Sequence, residues 1–207
     1  MRIDKRKRLH RRAFEGFGAD RPSTDTVESV ARPRPLPIDP LAEAKRQWIA
    51  HGWTDAADGM TAVISVMRAQ QLLLARVDAA LKPFGLSFAR FEVLRLLAFS
   101  RAGRLPLSSV VSRLQVHATT VTSTADRLVR DALVIREPHP HDGRAAMLAL
   151  TADGRDLVER ATAALNTEVF SRPGLEAADT ADLVAIVARL RRDAGDFTDP
   201  RPQPDPL

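Results

Sequence analysis

Beyond residue 40 the chain repeats apolar residues at helical spacing, one stretch after another. In residues 41–53, Leu41, Ala44, Trp48 and Ile49 share one face, and Gly52 suits the end of a short helix. Residues 57–82 predict a long helix. Its stripe of Val63, Val66, Met67, Leu73, Leu74, Val77 and Leu81 is interrupted by Gln70, and Pro83 and Gly85 stop it. Ser87 is a good N-cap for the next helix, over about 87–100, with Leu86 placed to staple onto Phe91. Leu105-Pro106-Leu107 reads as an extended step, which Pro106 confines to a sheet edge because proline has no amide to donate. Residues 108–114 carry Val110, Val111 and Leu114 at helical spacing. A tight turn at Gln115-Val116 leads into a further helix over 117–131. Two short helices joined in this way are a helix-turn-helix candidate.

The period then changes. Leu133, Val134 and Ile135 form a β-type run, residues 145–150 form a second, and PHPHDG (138–143) between them is rich in turn formers. The pair predicts a β-hairpin with a long tip, a wing. Thr151 is placed to cap a helix running to about residue 170, with Leu157, Ala161, Ala164, Leu165 and Val169 on its apolar face. Pro173-Gly174 breaks it, and a final helix spans about 177–192. The expected fold is α+β dominated by helices. A winged helix-turn-helix at about 86–151 is flanked by long helices at 57–83 and 152–192, within one domain over 57–192. Residues 41–56 form an accessory helix and linker, and both tryptophans are expected to pack onto the main body.

Composition narrows the function. The chain has 207 residues, 44% of them hydrophobic, enough for a sizeable core. It has no cysteine, which removes disulfides, thiolate metal sites and cysteine nucleophiles. No apolar run approaches the roughly 18–20 residues that span a bilayer, and the basic N-terminus has no apolar segment behind it. A cytoplasmic protein without a membrane partner is the expectation. The net charge of +5 is misleading, because residues 1–14 alone hold seven basic residues against Asp4. The rest of the chain is therefore close to neutral. Residues 1–40, ending in the proline-rich RPRPLPIDP, read as a disordered arm. Within it Lys5, Arg6, Lys7 and Arg8 are candidates for sequence-independent phosphate contacts. Residues 193–207 read as a disordered tail.

The case for nucleic acid rests on the 117–131 helix. Val121, Ala125 and Leu128 fall on one face, which turns His117, Ala118, Thr119, Thr120, Thr122, Ser123, Asp126 and Arg127 largely outward. Threonine is a mediocre helix former, because β-branching restricts χ1. Exposed threonines therefore need a compensating role. Short hydroxyls let a helix approach a groove floor, where they bond phosphates or base edges, and the threonine methyl can touch thymine. The helix N-terminus adds unpaired N–H groups and the positive end of its dipole. In the hairpin, Arg136 precedes the loop. Arg144 can reach the minor groove or its phosphates, with Asp142 two residues away to direct it.

Together these residues carry a resemblance. LSSVVSRLQVHATTVTSTADRLVRDALVIREPHPHDGRAAMLALT is similar to the whole DNA-binding module of the MarR (multiple antibiotic resistance regulator) family of winged helix-turn-helix transcription factors. Asp126-Arg127-Leu128 matches the end of that family's recognition helix, Asp142-x-Arg144 its wing signature, and Leu150-Thr151 followed by Gly154 the start of its dimerisation helix. The resemblance covers about residues 57–192. It implies a homodimer whose long helices interleave and whose two modules read a pseudo-palindrome in double-stranded DNA as a repressor. It also implies release of DNA on binding a small-molecule effector, of aromatic or phenolic type. There are departures. Ala132 stands where the family often has glycine, Gly143 where the wing often has arginine, and Ala118 and Ser123 where arginine is frequent. Helix facing suggests Met67, Gln71, Phe88, Phe91 and Arg95 as residues of a ligand pocket.

Two other readings compete. An enzyme lacks support, because no nucleophile–base motif or phosphate-cradling glycine loop is present and no cofactor is implied. His139, His141 and Asp142 offer three ligands on one loop without a fourth, so no metal site is expected. The alternative binding reading is a winged-helix interaction module, or an architectural DNA binder whose arm supplies nonspecific affinity. The near-neutral module favours it, since residues 113–144 hold five arginines against four acidic residues.

Overall fold

The computed structural model describes residues 35–139 and 142–198, the side chains of 142–145 excepted. The basic candidates Lys5, Arg6, Lys7 and Arg8, the loop residue His141 and the tail beyond 198 lie outside the described residues. Residues 35–39 carry no helix or strand. From there the order is α1 (Pro40–Ala50), α2 (Thr54–Leu81), a 3₁₀ turn (Lys82–Phe84), α3 (Phe88–Phe99), β1 (Arg104–Pro106), α4 (Leu107–Leu114), α5 (Ala118–Arg130), β2 (Val134–His139), β3 (Asp142–Leu150), α6 (Ala152–Leu165), a π turn (Asn166–Phe170) and α7 (Ala177–Asp193). This is the helix-dominated winged helix-turn-helix that the pattern predicts.

The three strands form one antiparallel sheet in the order β1-β3-β2. Pro106 closes β1 at the sheet edge, where its missing amide costs no ladder bond. The hairpin differs from expectation. Pairing continues through Pro138↔Ala146 to His139↔Asp142, so the strands are longer and the tip tighter than the turn formers suggested. The register shifts between Pro138 and His139, where one step along β2 spans Ala146 to Asp142 on β3.

One core joins the elements. Leu81 of α2, Leu94 and Leu97 of α3, Val110 of α4, Val121 and Leu128 of α5, Val134 of β2, Leu148 of β3, and Val158 and Leu165 of α6 are all essentially inaccessible. Burial of each such side chain contributes about 1.5–3 kcal/mol. Caps punctuate the helices as read: the Ser87 hydroxyl accepts from the Arg90 amide at 3.4 Å, and the Thr151 hydroxyl from the Gly154 amide at 3.0 Å. Thr151 does more than cap α6. Its hydroxyl donates to the Ala132 carbonyl at 2.9 Å, and its amide to the Leu133 carbonyl at 3.2 Å. The start of α6 is thereby tied to the segment that follows α5. Gly154 is required at that joint, because a Cβ there would sit 2.1 Å from the Leu133 carbonyl oxygen.

The outer helices depart from the reading in three places. Trp48 is half-buried and Trp53 is 53% exposed. They pack edge-on against each other at 5.3 Å, with His51 stacked on Trp53 at 5.5 Å, rather than both entering the main body. In α2 only Val77 and Leu81 of the predicted stripe are buried, while Val63 and Met67 are about 60% exposed. The α6 helix does not run on as one α-helix to 170 but passes into the π turn. There the Arg76 guanidinium donates to the carbonyls of Glu168 (3.2 Å), Pro173 (2.9 Å) and Arg172, taking up acceptors that a helix end leaves open.

Candidate nucleic-acid interface

Helices α4 and α5 meet at Gln115, which adopts the left-handed conformation at φ 54°. A β-carbon is disfavoured there, and contacts from the far end of the chain accompany it. The Gln115 Nε2 donates to the Asp196 carbonyl at 3.3 Å, and Arg191 donates to Gln115 Oε1 at 3.4 Å. The turn sets α5 on the core through Val121, Thr124, Ala125 and Leu128. Thr124 was no candidate for the outward face, and its burial beside the apolar three agrees with helical spacing from Val121 and Leu128.

The residues proposed to meet DNA divide into three sets. His117, Ala118, Thr119, Thr120, Ser123 and Arg127 are exposed. The His117 side chain does not cap the helix. Its Nδ1 lies 3.0 Å from the Thr119 hydroxyl, so amides of the first turn stay directed outward at the positive end of the helix. Thr122 departs from expectation, being half-buried with its hydroxyl donating to the Ala118 carbonyl at 2.9 Å. The third set is the wing. Arg136 is exposed and pairs with Asp126 at 2.7 Å, a contact that links β2 to α5. The expected partnership of Asp142 with Arg144 lies outside the described side chains.

On α5 itself, one exposed cation escaped the sequence reading. Arg130 lies seven residues after Ser123, two turns along the same face, and is exposed in the last turn of α5. That spacing was the signal. The end of α5 is pinned by Asp131, whose carboxylate accepts from Arg90 of α3. Ala132 follows at φ 56°. The position where the resembling family often has glycine does require the left-handed conformation, and here alanine bears its cost.

The five pocket candidates are not brought together. Phe88 lines a cleft of about 450 Å³ with Val66, Gln70, Leu73 and Leu74 of α2 and Leu183 and Val187 of α7. Phe91 is buried in the core, Met67 is exposed away from the cleft, and Gln71 faces solvent, accepting from Arg68 at 3.1 Å. Gln70 takes the place that Gln71 was given. Arg95 is committed elsewhere: its guanidinium grips both carboxylate oxygens of Glu159 at 2.9 and 3.0 Å and donates to Thr162 at 3.1 Å. That hydrogen bonding lowers the Glu159 pKa and bolts α3 to α6.

Comparison with known proteins agrees with this architecture. The model of the MarR family matches residues 84–145, from the 3₁₀ turn before α3 into the wing. The structure of Sco5413, a MarR family transcriptional regulator from Streptomyces coelicolor, is 46% identical. The likeness covers 69% of this chain and 99% of that one, with a TM-score of 0.62. BpsR of Bordetella bronchiseptica, described as regulated in its DNA binding by 6-hydroxynicotinic acid, is 28% identical over 60% of this chain and 89% of its own, with a TM-score of 0.55. The HTH-type transcriptional repressor YetL of Bacillus subtilis is 34% identical over 76 residues, 37% of this chain and 46% of YetL. The matched part thus spans less than half the length of that curated relative. The chain belongs to the MarR family of transcriptional regulators, and with that to regulators rather than enzymes.

Proposed function

We propose that the chain acts as a homodimeric, sequence-specific DNA reader, a cytoplasmic repressor that grips a pseudo-palindromic operator and releases it on binding a small aromatic or phenolic molecule. The observation that carries this reading is the outward face of α5, where Thr119, Thr120 and Ser123 stand exposed around an uncapped helix start. Such a surface costs helix stability and suits the floor of a major groove. His117, Ala118 and Arg127 complete the helix contacts. Arg136 places the wing through Asp126, and on this reading Arg144 meets the minor groove or its phosphates, with Asp142 to direct it.

Dimerisation is supported by the long helices. Val63, Val66 and Met67 of α2 and Val184, Ile186 and Leu190 of α7 leave their apolar side chains more than half exposed. Stripes of this length mark a surface that another chain covers, and a second copy would set two recognition helices about one turn of DNA apart. The cleft around Phe88 offers apolar walls and one amide, Gln70, to an aromatic effector. The module's small net charge leaves a second reading alive, in which the arm with Lys5, Arg6, Lys7 and Arg8 supplies nonspecific affinity and the wing serves another partner.

Selection of bound sites from random DNA with the full chain separates the two. Recovery of a symmetric motif bound by a dimer supports the repressor reading, and deleting residues 1–14 should then flatten the salt dependence while base preference survives. Recovery of no motif, with all affinity lost on that deletion, rejects it. Titrating the complex with phenols and aromatic carboxylates tests the effector.

A further inference from the structure

The recognition helix has two flanks, and only one faces the wing. Asp126 points to β2 and meets Arg136 there. One residue on, the side chain swings by about 100°, and Arg127 turns toward the opposite side. There it lines an open cleft of about 710 Å³ with Lys82, Ser87, Arg90 and Asp78. The cleft is thus built from the end of α2, the start of α3 and the recognition helix.

Its charges are unequally committed. Arg90 is held by the Asp131 carboxylate and by the Gly85 carbonyl, to which it donates at 3.0 Å. It fastens α3 to the end of α5 and so fixes the spacing across the cleft. Lys82 and Arg127 are both exposed, and neither enters an ion pair among the described residues. Asp78, one turn before Lys82, is the acidic residue on the rim.

A helix lying in a major groove about 12 Å wide has a phosphate backbone on each side. The wing attends to one. We propose that Lys82 and Arg127, with the Ser87 hydroxyl at the rim, form a second phosphate-binding edge for DNA on the flank opposite the wing. This rests on the DNA-reading function above. It assigns Arg127 to the backbone rather than to bases, and it adds Lys82 from the 3₁₀ turn that closes α2, a helix otherwise given to dimerisation. Arg90 is a positioning residue there.

The test uses the full chain, a duplex recovered by selection from random DNA, and a shuffled duplex of the same composition. Binding is measured against salt concentration for the parent, Lys82→Gln, Arg127→Gln and the double variant, with thermal melts to confirm that these exposed substitutions leave the fold intact. Each single change should lower the slope of log affinity against log salt by about 0.9, the double change by about 1.8. Both duplexes should weaken by the same factor. An unchanged slope overturns the proposal. So does a weakening confined to the selected duplex, which would make Arg127 a reader of bases. If the parent chain binds neither duplex, the DNA-reading function itself fails; if the parent binds and the variants match it, only the second edge does.

Discussion

Helices α2 and α5 both leave a row of side chains in solvent, for opposite reasons. On α2 the row is apolar: Val63, Val66 and Met67 carry the same stripe that reaches the core at Val77 and Leu81. On α5 the row is polar and β-branched, with a face of buried Val121, Ala125 and Leu128 behind it. An apolar row gains free energy by leaving water, at about 25 cal/mol per Å², so it asks for another hydrophobic surface. A polar row gains nothing by simple burial. It is worth its helix-propensity cost only against a partner that supplies donors, acceptors and charge. Exposure alone is therefore ambiguous, and the chemistry of what is exposed names the class of partner.

The largest test of that contrast is on α2. Val63→Glu combined with Met67→Glu puts two charges on the apolar row at positions that contribute little to the core. The chain should fold, sediment as a monomer, and bind its operator at least about 1,000-fold more weakly, roughly 4 kcal/mol. Dimers of undiminished affinity would show that the row serves something else. Next comes the joint between the two regions. Gly154→Ala forces a Cβ against the Leu133 carbonyl, and thermal unfolding should report a loss of about 2–4 kcal/mol. A variant as stable as the parent would mean that the start of α6 has room to shift.

On α5 the two hydroxyls should differ. Ser123 is exposed, whereas the Thr122 hydroxyl is already spent on the Ala118 carbonyl. Ser123→Ala should cost about 1–3 kcal/mol of operator binding while sparing nonspecific DNA, and Thr122→Ala should cost less than about 1 kcal/mol. Equal losses would mean that the bond to Ala118 is given up in the complex. The smallest effect belongs to Ala132, at φ 56°. Ala132→Gly relieves the left-handed strain but adds chain entropy, so a net gain of about 0.5–1 kcal/mol in unfolding free energy is expected, with operator affinity unchanged. A destabilised Ala132→Gly would show that the alanine methyl packs usefully.

What the sequence by itself determined is local. Periodicity placed the helices, Ser87 and Thr151 announced two helix starts, Pro106 placed β1 at an edge, and the spacing of Val121, Ala125 and Leu128 settled which way α5 faces. These are properties of neighbours three or four residues apart, or of one residue's own φ and missing donor, and they need no knowledge of the rest of the chain. Tertiary structure decided everything that joins distant residues. It paired Arg136 with Asp126 and Arg95 with Glu159, put Gln70 rather than Gln71 in the Phe88 cleft, and set Arg127 and Lys82 along one cleft. Successive side chains on a helix are turned by about 100°, so one position decides which neighbour a side chain meets, and that neighbour is set by packing between elements dozens of residues apart.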